Sequence, residues 1–593
     1  MAYPWQEAPV RSWRATPGFW ADRLDAYRRV TLPHVLTYLD SEGRLSNFRR
    51  AAGLESGPFR GQYSFDDSDV YKVLEGMAYS LELSPDGALD RQTDAIIDLV
   101  ARAQMTDGYL FTWHQLKDPR RRWTDMNSHE MYCGGHLMEA AAAHHAATGK
   151  DNLLNVARRL GDHYRDVFGP GRRHWVDGHE EVGLGLVRLS EATGDPAYRQ
   201  FEYWHLEERG HGHGHGHVWD LEGFGARYSQ DHLPVRDIVD AEGHSVRAMY
   251  LYGAMTDLAA LDGISEYEAS VKRAWSSVVE RKMYVTGGIG AEGRFEGFGP
   301  DYYLPNRDAY CETCAAIAMV YWNHRMNLLT GEARYADVIE RELYNGALAG
   351  ISLSGDRFFY VNPLESRGHH HRRPWFGCSC CPSNVARFVP SLPHYLFATG
   401  PGTVVVNQYA AGDATLSVDG RAVHVRVDTG YPWEGGARIT VEADGPGALT
   451  VLLRQPSWAN GAVVSQNGRT VDGLVLKNGY WPVAVEHGGA IAIQWRMGVE
   501  RVHAAPEVEA DRGRMAIQRG PVVYCMEETD HVDMQADPLI RPEVALEPET
   551  RDDWHGFTVL TGELDYGRAL TAVPYFAWDN REPGWMRVWL REV

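Results

Sequence analysis

Two short strings hold residue types able to bind a metal and attack an electrophile: Tyr310-Cys311-Glu312-Thr313-Cys314 and Cys378-Ser379-Cys380-Cys381-Pro382. Zinc takes four ligands from thiolate, imidazole and carboxylate, and these strings offer five thiols and one carboxylate. The ordinary alternative is a structural zinc knuckle. Knuckles leave two to four residues between paired thiols, whereas Cys380 and Cys381 are adjacent. A carboxylate ligand also makes a more exchangeable site than four thiolates. A zinc-bound thiolate stays deprotonated at neutral pH, the state a nucleophile requires.

A further carboxylate lies upstream in Phe295-Glu296-Gly297-Phe298. Between two phenylalanines, a buried carboxyl would have its pKa raised, as a general acid requires; the plainer alternative is a surface Glu in a Gly-rich loop. The neighbouring Gly287-Gly288-Ile289-Gly290 is not a phosphate loop, since no Lys-Ser/Thr follows it. His129, His179 and His244 stand in polar strings, but among 26 histidines spacing alone does not rank them.

Helices must position the first cluster. Leu153, Val156, Ala157, Leu160, Tyr164 and Val167 recur at helical spacing, as do Ala336, Ile339, Leu343 and Ala347. Thr148-Gly149, Thr193-Gly194 and Thr330-Gly331 each predict a helix end followed by a new helix. Repeated helix–Gly–helix units fit either a solenoid or a closed α/α toroid. After about Gly400 the period falls to two: Thr403–Asn407, Val423–Val427 and Leu449–Leu453 read as strands, and Asn467-Gly468 and Asn478-Gly479 as hairpin turns. The organisation expected is a helical catalytic domain over 1–400, a β domain over 401–500 and a second β domain over 501–593. The tract His211–His217 alternates His with Gly. It reads as a solvated loop, because ordering it around an ion costs entropy at every glycine.

At 593 residues the chain exceeds one hydrophobic core. Its formal charge of −21 repels polyanions, which disfavours nucleic acid and anionic membrane surfaces and leaves a neutral substrate indifferent. No secretory leader or membrane-length apolar run is evident, and five of the seven cysteines fall between Cys311 and Cys381. Clustered thiols without an export signal suggest metal or catalytic cysteines in the cytoplasm rather than disulfides.

Several strings together resemble the β-L-arabinofuranosidases of glycoside hydrolase family 127. They are Tyr284-Val-Thr-Gly-Gly-Ile-Gly290, Glu296-Gly-Phe298, Asp301-Tyr-Tyr-Leu-Pro-Asn306, Cys311-Glu-Thr-Cys314, Phe359-Tyr-Val-Asn-Pro-Leu-Glu365 and Phe376-Gly-Cys-Ser-Cys-Cys-Pro382. Outside the cysteine region the resemblance extends to Asp66–Tyr71, Arg519–Cys525 and Pro574–Glu582. It implies an (α/α)6 barrel followed by jelly-roll-like β-sandwich domains, which would settle solenoid against toroid. It implies Zn2+ held by Glu312, Cys314, Cys380 and Cys381, with Cys380 as nucleophile and Glu296 as general acid/base. It further implies sugar contacts from His129, His179, His244 and Tyr360. Where some members carry Gly before the zinc-ligand Glu, this chain has Cys311, so a spare thiol is expected beside the metal.

The resulting expectation is a retaining exo-glycosidase that releases terminal β-L-arabinofuranose from oligosaccharides or glycoconjugates. Its partner would be that neutral substrate, without nucleic acid or membrane, and a homodimer is left open. Two alternatives remain at this stage: the same chemistry on another L-furanoside or branched acidic pentose, and a non-catalytic carbohydrate-binding protein with a structural zinc.

Overall fold

The computed structural model describes residues 2–216, 224–486, 488–531 and 534–592. His217, the last residue of the His-Gly tract, lies outside them.

Six helices form the centre of the N-terminal part: α1 (Asp67–Leu83), α2 (Glu130–Thr148), α3 (Glu181–Thr193), α4 (Ser245–Asp262), α5 (Thr313–Thr330) and α6 (Cys380–Phe388). Each packs against the next, and α6 returns to α1, so the ring closes. Helices α2, α4 and α5 are buried around most of their circumference, as an inner position demands. Helices Gly87–Ala103, Asn152–Val167, Pro196–Glu207, Ser265–Ser277 and Ala333–Arg341 each lie against the ring helix that precedes them in the chain. These outer helices have one apolar side: Leu153, Val156, Ala157, Leu160 and Tyr164 are buried, while Asn155, Arg158 and Arg159 face solvent. The three Thr-Gly turns all end helices, with Gly149, Gly194 and Gly331 as left-handed caps.

Beyond residue 396 the chain is built of sheets. One runs Gln6–Glu7, Phe397–Gly400, Thr403–Val406, Leu449–Arg454, Tyr480–Val485; a second runs from Arg469–Thr470 through Val463–Gln466, Gly489–Gln494, Gly436–Ala443, Arg421–Asp428 and Gly412–Val418 to Trp13–Ala15. Val404, Val451 and Leu453 from the first join Leu416, Val425 and Ile439 from the second in one apolar core. The alternation in Gly412–Val418 is strict, buried then exposed, as a sheet with one wet face requires. Asn467 and Gly468 both have positive φ and close the hairpin pairing Gln466 with Arg469. The third sheet begins at Val499–Val502, which pairs with Arg514–Arg519. Its strand Trp585–Arg587 pairs with Glu365–Arg367 from the helical part. Two N-terminal strands, at 6–7 and 13–15, thus pair across the division near residue 400. Among the described residues no helix is long and apolar enough to cross a membrane.

Candidate active site

The ring helices share one feature: the chemistry-bearing residues sit where they begin. His129 and His244 immediately precede α2 and α4, Glu312 precedes α5, and Cys380 opens α6. His179 lies two residues before α3. Helix N-termini present unpaired N–H groups and partial positive charge, a setting that favours thiolates and other anions.

Glu312, Cys314, Cys380 and Cys381 converge, with one ligand atom from each within 4.8 Å of all the others. Cys314 Sγ is 3.4 Å from Cys381 Sγ, and Cys380 Sγ is 3.9 Å from Cys381 Sγ. Glu312 Oε1 is 3.6 Å from Cys380 Sγ and 3.7 Å from Cys381 Sγ. Tetrahedral zinc with sulfur at ~2.3 Å and oxygen at ~2.1 Å sets its ligands roughly 3.5–3.8 Å apart, so the donors fit. Burial and the nearby Cys380 charge push the Glu312 carboxyl well above its usual range, and burial pushes the Cys381 thiol up. Four acidic donors this close cannot all ionise unless a cation enters. Glu312 Oε2, buried and lacking a hydrogen-bond partner among the described residues, points to the same need.

The supports of the cluster come from other elements. The Arg44 guanidinium donates to the Gly377 carbonyl at 2.7 Å and to Ser379 Oγ at 3.1 Å. Asp69, at the start of α1, accepts from Ser379 and from Ser383 Oγ at 3.0 Å. Both fix the turn that leads into Cys380. Lys72, one helical turn further on, is buried and donates to the Tyr132 hydroxyl at 2.8 Å. Burial would raise the Cys314 thiol, but contacts with the Cys380 and Cys381 sulfurs, with the Lys72 charge, bring it down to about 7.

Only one thiol of the cluster is open: Cys380 is partly exposed, whereas Cys314 and Cys381 are buried. Its sulfur lies 3.2 Å from the Tyr360 hydroxyl. Burial, then the charge on Cys380, keep that hydroxyl protonated, so it can donate to a thiolate. Cys378 Sγ is 3.7 Å from Cys380 Sγ. The spare thiol beside the cluster is therefore Cys378. Cys311, expected there, turns under Gly288 instead, where an added Cβ would stand 3.0 Å from its sulfur.

Glu296 has its backbone in the left-handed region, φ 56°, a conformation that non-glycine residues keep only where the surroundings enforce it. Ser245 N–H and Oγ each donate to the Glu296 carbonyl at 3.0 Å, and Phe298 N–H donates to the Gly243 carbonyl at 2.9 Å. The next residue must be glycine, since a Cβ on Gly297 would meet the Gly243 oxygen at 2.1 Å. These contacts lay Glu296 against His244 and, through both, against Glu312: one ligand atom from each of the three lies within 4.8 Å of the others. The Glu296 side chain is 36% exposed, so solvent and substrate can reach it.

The raised pKa expected for Glu296 is not what its surroundings produce. Burial does push it up, but a hydrogen bond from His244 and another from Tyr310 outweigh burial and hold the carboxyl below its ordinary value. Burial keeps His244 below its usual pKa despite Glu296, so the imidazole acts as a neutral donor.

His129, His179 and His244 form a row, each ring centroid 5.8 Å from the next. Burial and the Arg247 charge lower the first two, His129 to about 3, so all three are neutral near pH 7. Neutral imidazoles suit sugar hydroxyls, having both a donor and an acceptor nitrogen. His129 uses Nδ1 on the Asn127 carbonyl, which leaves Nε2 as an acceptor. Buried His179 Nδ1 lacks a partner among the described residues. Arg247 links the two loops, through the Gly178 carbonyl and through Asn127 Oδ1 at 3.3 Å. Tyr310, Lys72 and Cys378 also belong to this site. Motif reading does not single them out, although Tyr310 and Cys378 lie within the two cysteine strings.

The similarities to known proteins agree along the whole chain. Residues 12–394 match the β-L-arabinofuranosidase GH127 catalytic domain, 403–497 the GH127 middle domain and 499–591 the glycoside hydrolase family 127 C-terminal domain. A "non-reducing end β-L-arabinofuranosidase" of Bifidobacterium longum is 36% identical over 92% of each chain. The crystal structure of a GH127 β-L-arabinofuranosidase from Geobacillus stearothermophilus T6 superposes with a TM-score of 0.94 at 38% identity, covering 98% of this chain and all of that one. Another GH127 β-arabinofuranosidase gives 0.92 at 39% identity, covering 100% of this chain and 98% of its own. These matches remove the non-catalytic alternative: the chain is a glycoside hydrolase and belongs to family 127.

Proposed function

We propose that the enzyme is a retaining exo-β-L-arabinofuranosidase, with Cys380 as nucleophile and Glu296 as acid/base, working on an (α/α)6 barrel whose inner wall is the ring α1–α6. The jelly-roll-like β-sandwiches would be the sheets that follow. The observation that carries the reading is the placing of a single open thiol, Cys380, at the mouth of a cluster of one glutamate and three cysteines, with Glu296 reaching the same cluster beside Glu312. The sugar comes from what the similar proteins are described as hydrolysing.

Glu312, Cys314, Cys380 and Cys381 would hold Zn2+, which when bound keeps thiolates ionised at neutral pH. Glu296, having taken up a proton, gives it to the glycosidic oxygen as Cys380 Sγ bonds to the anomeric carbon and the aglycone leaves. Glu296 then takes a proton from water, whose oxygen attacks the same carbon and returns the bonding pair to Cys380 as thiolate. Tyr360 steadies the sulfur charge before and after. His129, His179 and His244 hold the sugar hydroxyls, fixing the anomeric carbon over Cys380. All seven cysteines are free, which suits a reducing compartment such as the cytoplasm.

The test is Glu296→Gln on paired substrates. A nitrophenyl β-L-arabinofuranoside needs little protonation of its leaving group and should retain part of its glycosylation rate; an arabino-oligosaccharide should lose nearly all of it. Equal losses on both would remove Glu296 from the acid role.

A further inference from the structure

The connection from the outer helix Pro196–Glu207 to α4, described at 208–216 and 224–244, carries residues that the proposed reaction does not use. Because that helix folds back along α3 and the chain next enters the ring at the start of α4, the connection begins and ends on the face of the ring where the active site lies. The segment that leads into α3 reaches this face too, carrying His174 upstream of His179.

Here two imidazoles and a carboxylate converge. His174 Nδ1 is 2.9 Å and His213 Nε2 is 3.1 Å from the same oxygen, Glu208 Oε2. The three ligand atoms lie within 4.8 Å of one another. Gly212 turns the chain through the left-handed region, φ 79°, with open space around it, and brings His211 and His213 to 6.3 Å between ring centroids. A further imidazole is thus close by. Unlike the cysteine cluster, the group is open: the His174 and His213 side chains are 44% and 34% exposed.

We infer that His174, Glu208 and His213 form a second, exchangeable site for a zinc-class divalent ion at the rim of the active-site cleft. Two nitrogens and one carboxylate oxygen are the donors of Zn2+, Ni2+ or Cu2+ sites, not of Ca2+ or Mg2+ sites, which take oxygen. Ligands ~2.0–2.2 Å from a common ion stand roughly 3.3–3.5 Å apart, so the His174–Glu208 and His213–Glu208 separations of 2.9 and 3.1 Å need lengthen by only about half an ångström or less, and the two imidazole nitrogens already lie within 4.8 Å of each other. The entropy of ordering an alternating His-Gly tract argues against a site made of the tract alone. It weighs less here, because two of the three ligands, His174 and Glu208, come from outside the tract, and Glu208 closes a helix. A bound ion would cross-link the segment leading to His179 with residues 208–213 at the end of the outer helix.

Titration of Zn2+ into the protein as purified, with its cysteine cluster already loaded, tests this by calorimetry. One additional equivalent should bind, and binding should weaken more than about tenfold in His174→Ala, in His213→Ala and in Glu208→Gln. His174 and His213 lie at the surface, and Glu208, only 12% exposed, is replaced by a Gln of the same shape at a helix end, so folded variants are expected, and thermal melting checks this. Co2+ gives an independent signature: the second equivalent should add weak d–d bands without the intense sulfur-to-cobalt charge-transfer absorption of the cysteine cluster. No uptake beyond the first equivalent would overturn the site. So would uptake that survives in His174→Ala and Glu208→Gln, since the ion would then belong to the tract alone.

Discussion

His244 Nε2 lies 2.9 Å from Glu296 Oε2, and the tautomer of the imidazole is set from its other side. His244 caps α4, and its Nδ1 accepts the Val246 N–H at 3.2 Å. The ring proton is therefore on Nε2 and points at the Glu296 carboxylate. A neutral donor at this distance stabilises the ionised acid, which is why Glu296 stays below its usual pKa despite being largely enclosed.

This relationship fixes a pH dependence. In the proposed first step Glu296 must carry a proton, so kcat/KM falls as pH rises through its pKa in the free enzyme. Removing the donor in His244→Ala raises that pKa and moves the basic limb upward. Losing a hydrogen bond that favours the charged carboxylate leaves burial less opposed, so the limb moves toward higher pH. The height of the profile should also fall, because His244 is a proposed sugar contact, so the limb position is the quantity to measure. A limb that stays put or moves down would refute the assignment.

Gly297→Ala probes the same pair through the backbone. The added methyl would collide with the Gly243 carbonyl oxygen, 2.1 Å away. Relief requires the Glu296 turn to move off His244. A displacement near ~1 Å should cost about 10–100-fold in kcat/KM, with the metal content unchanged. Wild-type activity in this variant would mean that the Glu296–His244 contact does not govern the reaction.

Much of this architecture is readable from residue type and spacing, and the failures have a common cause. The helix ends at Gly149, Gly194 and Gly331 and the hairpin at Asn467-Gly468 are local devices, decided by a few adjacent residues. Glu312, Cys314, Cys380 and Cys381 are legible because metal donors are few in type and these are clustered. The direction of the Glu296 pKa is misread from sequence because its controlling donor, His244, lies 52 residues away. Strands Gln6–Glu7 and Trp13–Ala15 are too short to show a period, and their partners are Ala398–Thr399 and Gly412–Ala414. Cys311 and Cys378 cannot be told apart as neighbours of the cluster until the chain direction at each is known.

Metal removal should separate chemistry from fold. Protein never exposed to chelator should carry about one tightly held zinc per chain in the cysteine cluster. Stripping it should abolish hydrolysis while far-UV circular dichroism stays unchanged, because the ring α1–α6 is held by a large apolar core. Zinc added back under reducing conditions should restore activity. Full activity in metal-free protein, verified by elemental analysis, would refute the zinc–thiolate reading.

Stability should carry a separate pH signature from His205. Burial alone would lower its pKa, but the carboxylates of Asp177 and Glu202, each 3.3 Å from a ring nitrogen, lift it to about 9. The charged form is favoured by folding, so its contribution is complete below the unfolded value of ~6.5 and is lost as pH rises through about 9. The loss amounts to ~3 kcal/mol at most. Denaturation midpoints measured across that window should fall for wild type and fall less for His205→Gln. Parallel slopes would show that His205 does not titrate with folding.

The identity of the nucleophile can be read directly by covalent capture. Four thiols lie at or beside the cluster, and their exposure separates them: Cys314 and Cys381 are buried, whereas Cys378 and Cys380 are partly open. Of the open pair, Cys378 is held protonated, chiefly by its hydrogen bond to Cys380 and by burial. Cys380, a member of the metal-binding cluster with the Tyr360 hydroxyl at 3.2 Å, is the proposed nucleophile. An arabinofuranose bearing an electrophile at the anomeric position should therefore label Cys380, and peptide mapping should find the adduct there. Methanolysis of a β-L-arabinofuranoside should give the methyl glycoside with retained configuration, because two displacements at one carbon restore it. Inverted product would exclude a covalent intermediate altogether. Label on Cys378 with retained product would leave the reaction class intact and move the nucleophile to the neighbouring sulfur, 3.7 Å away.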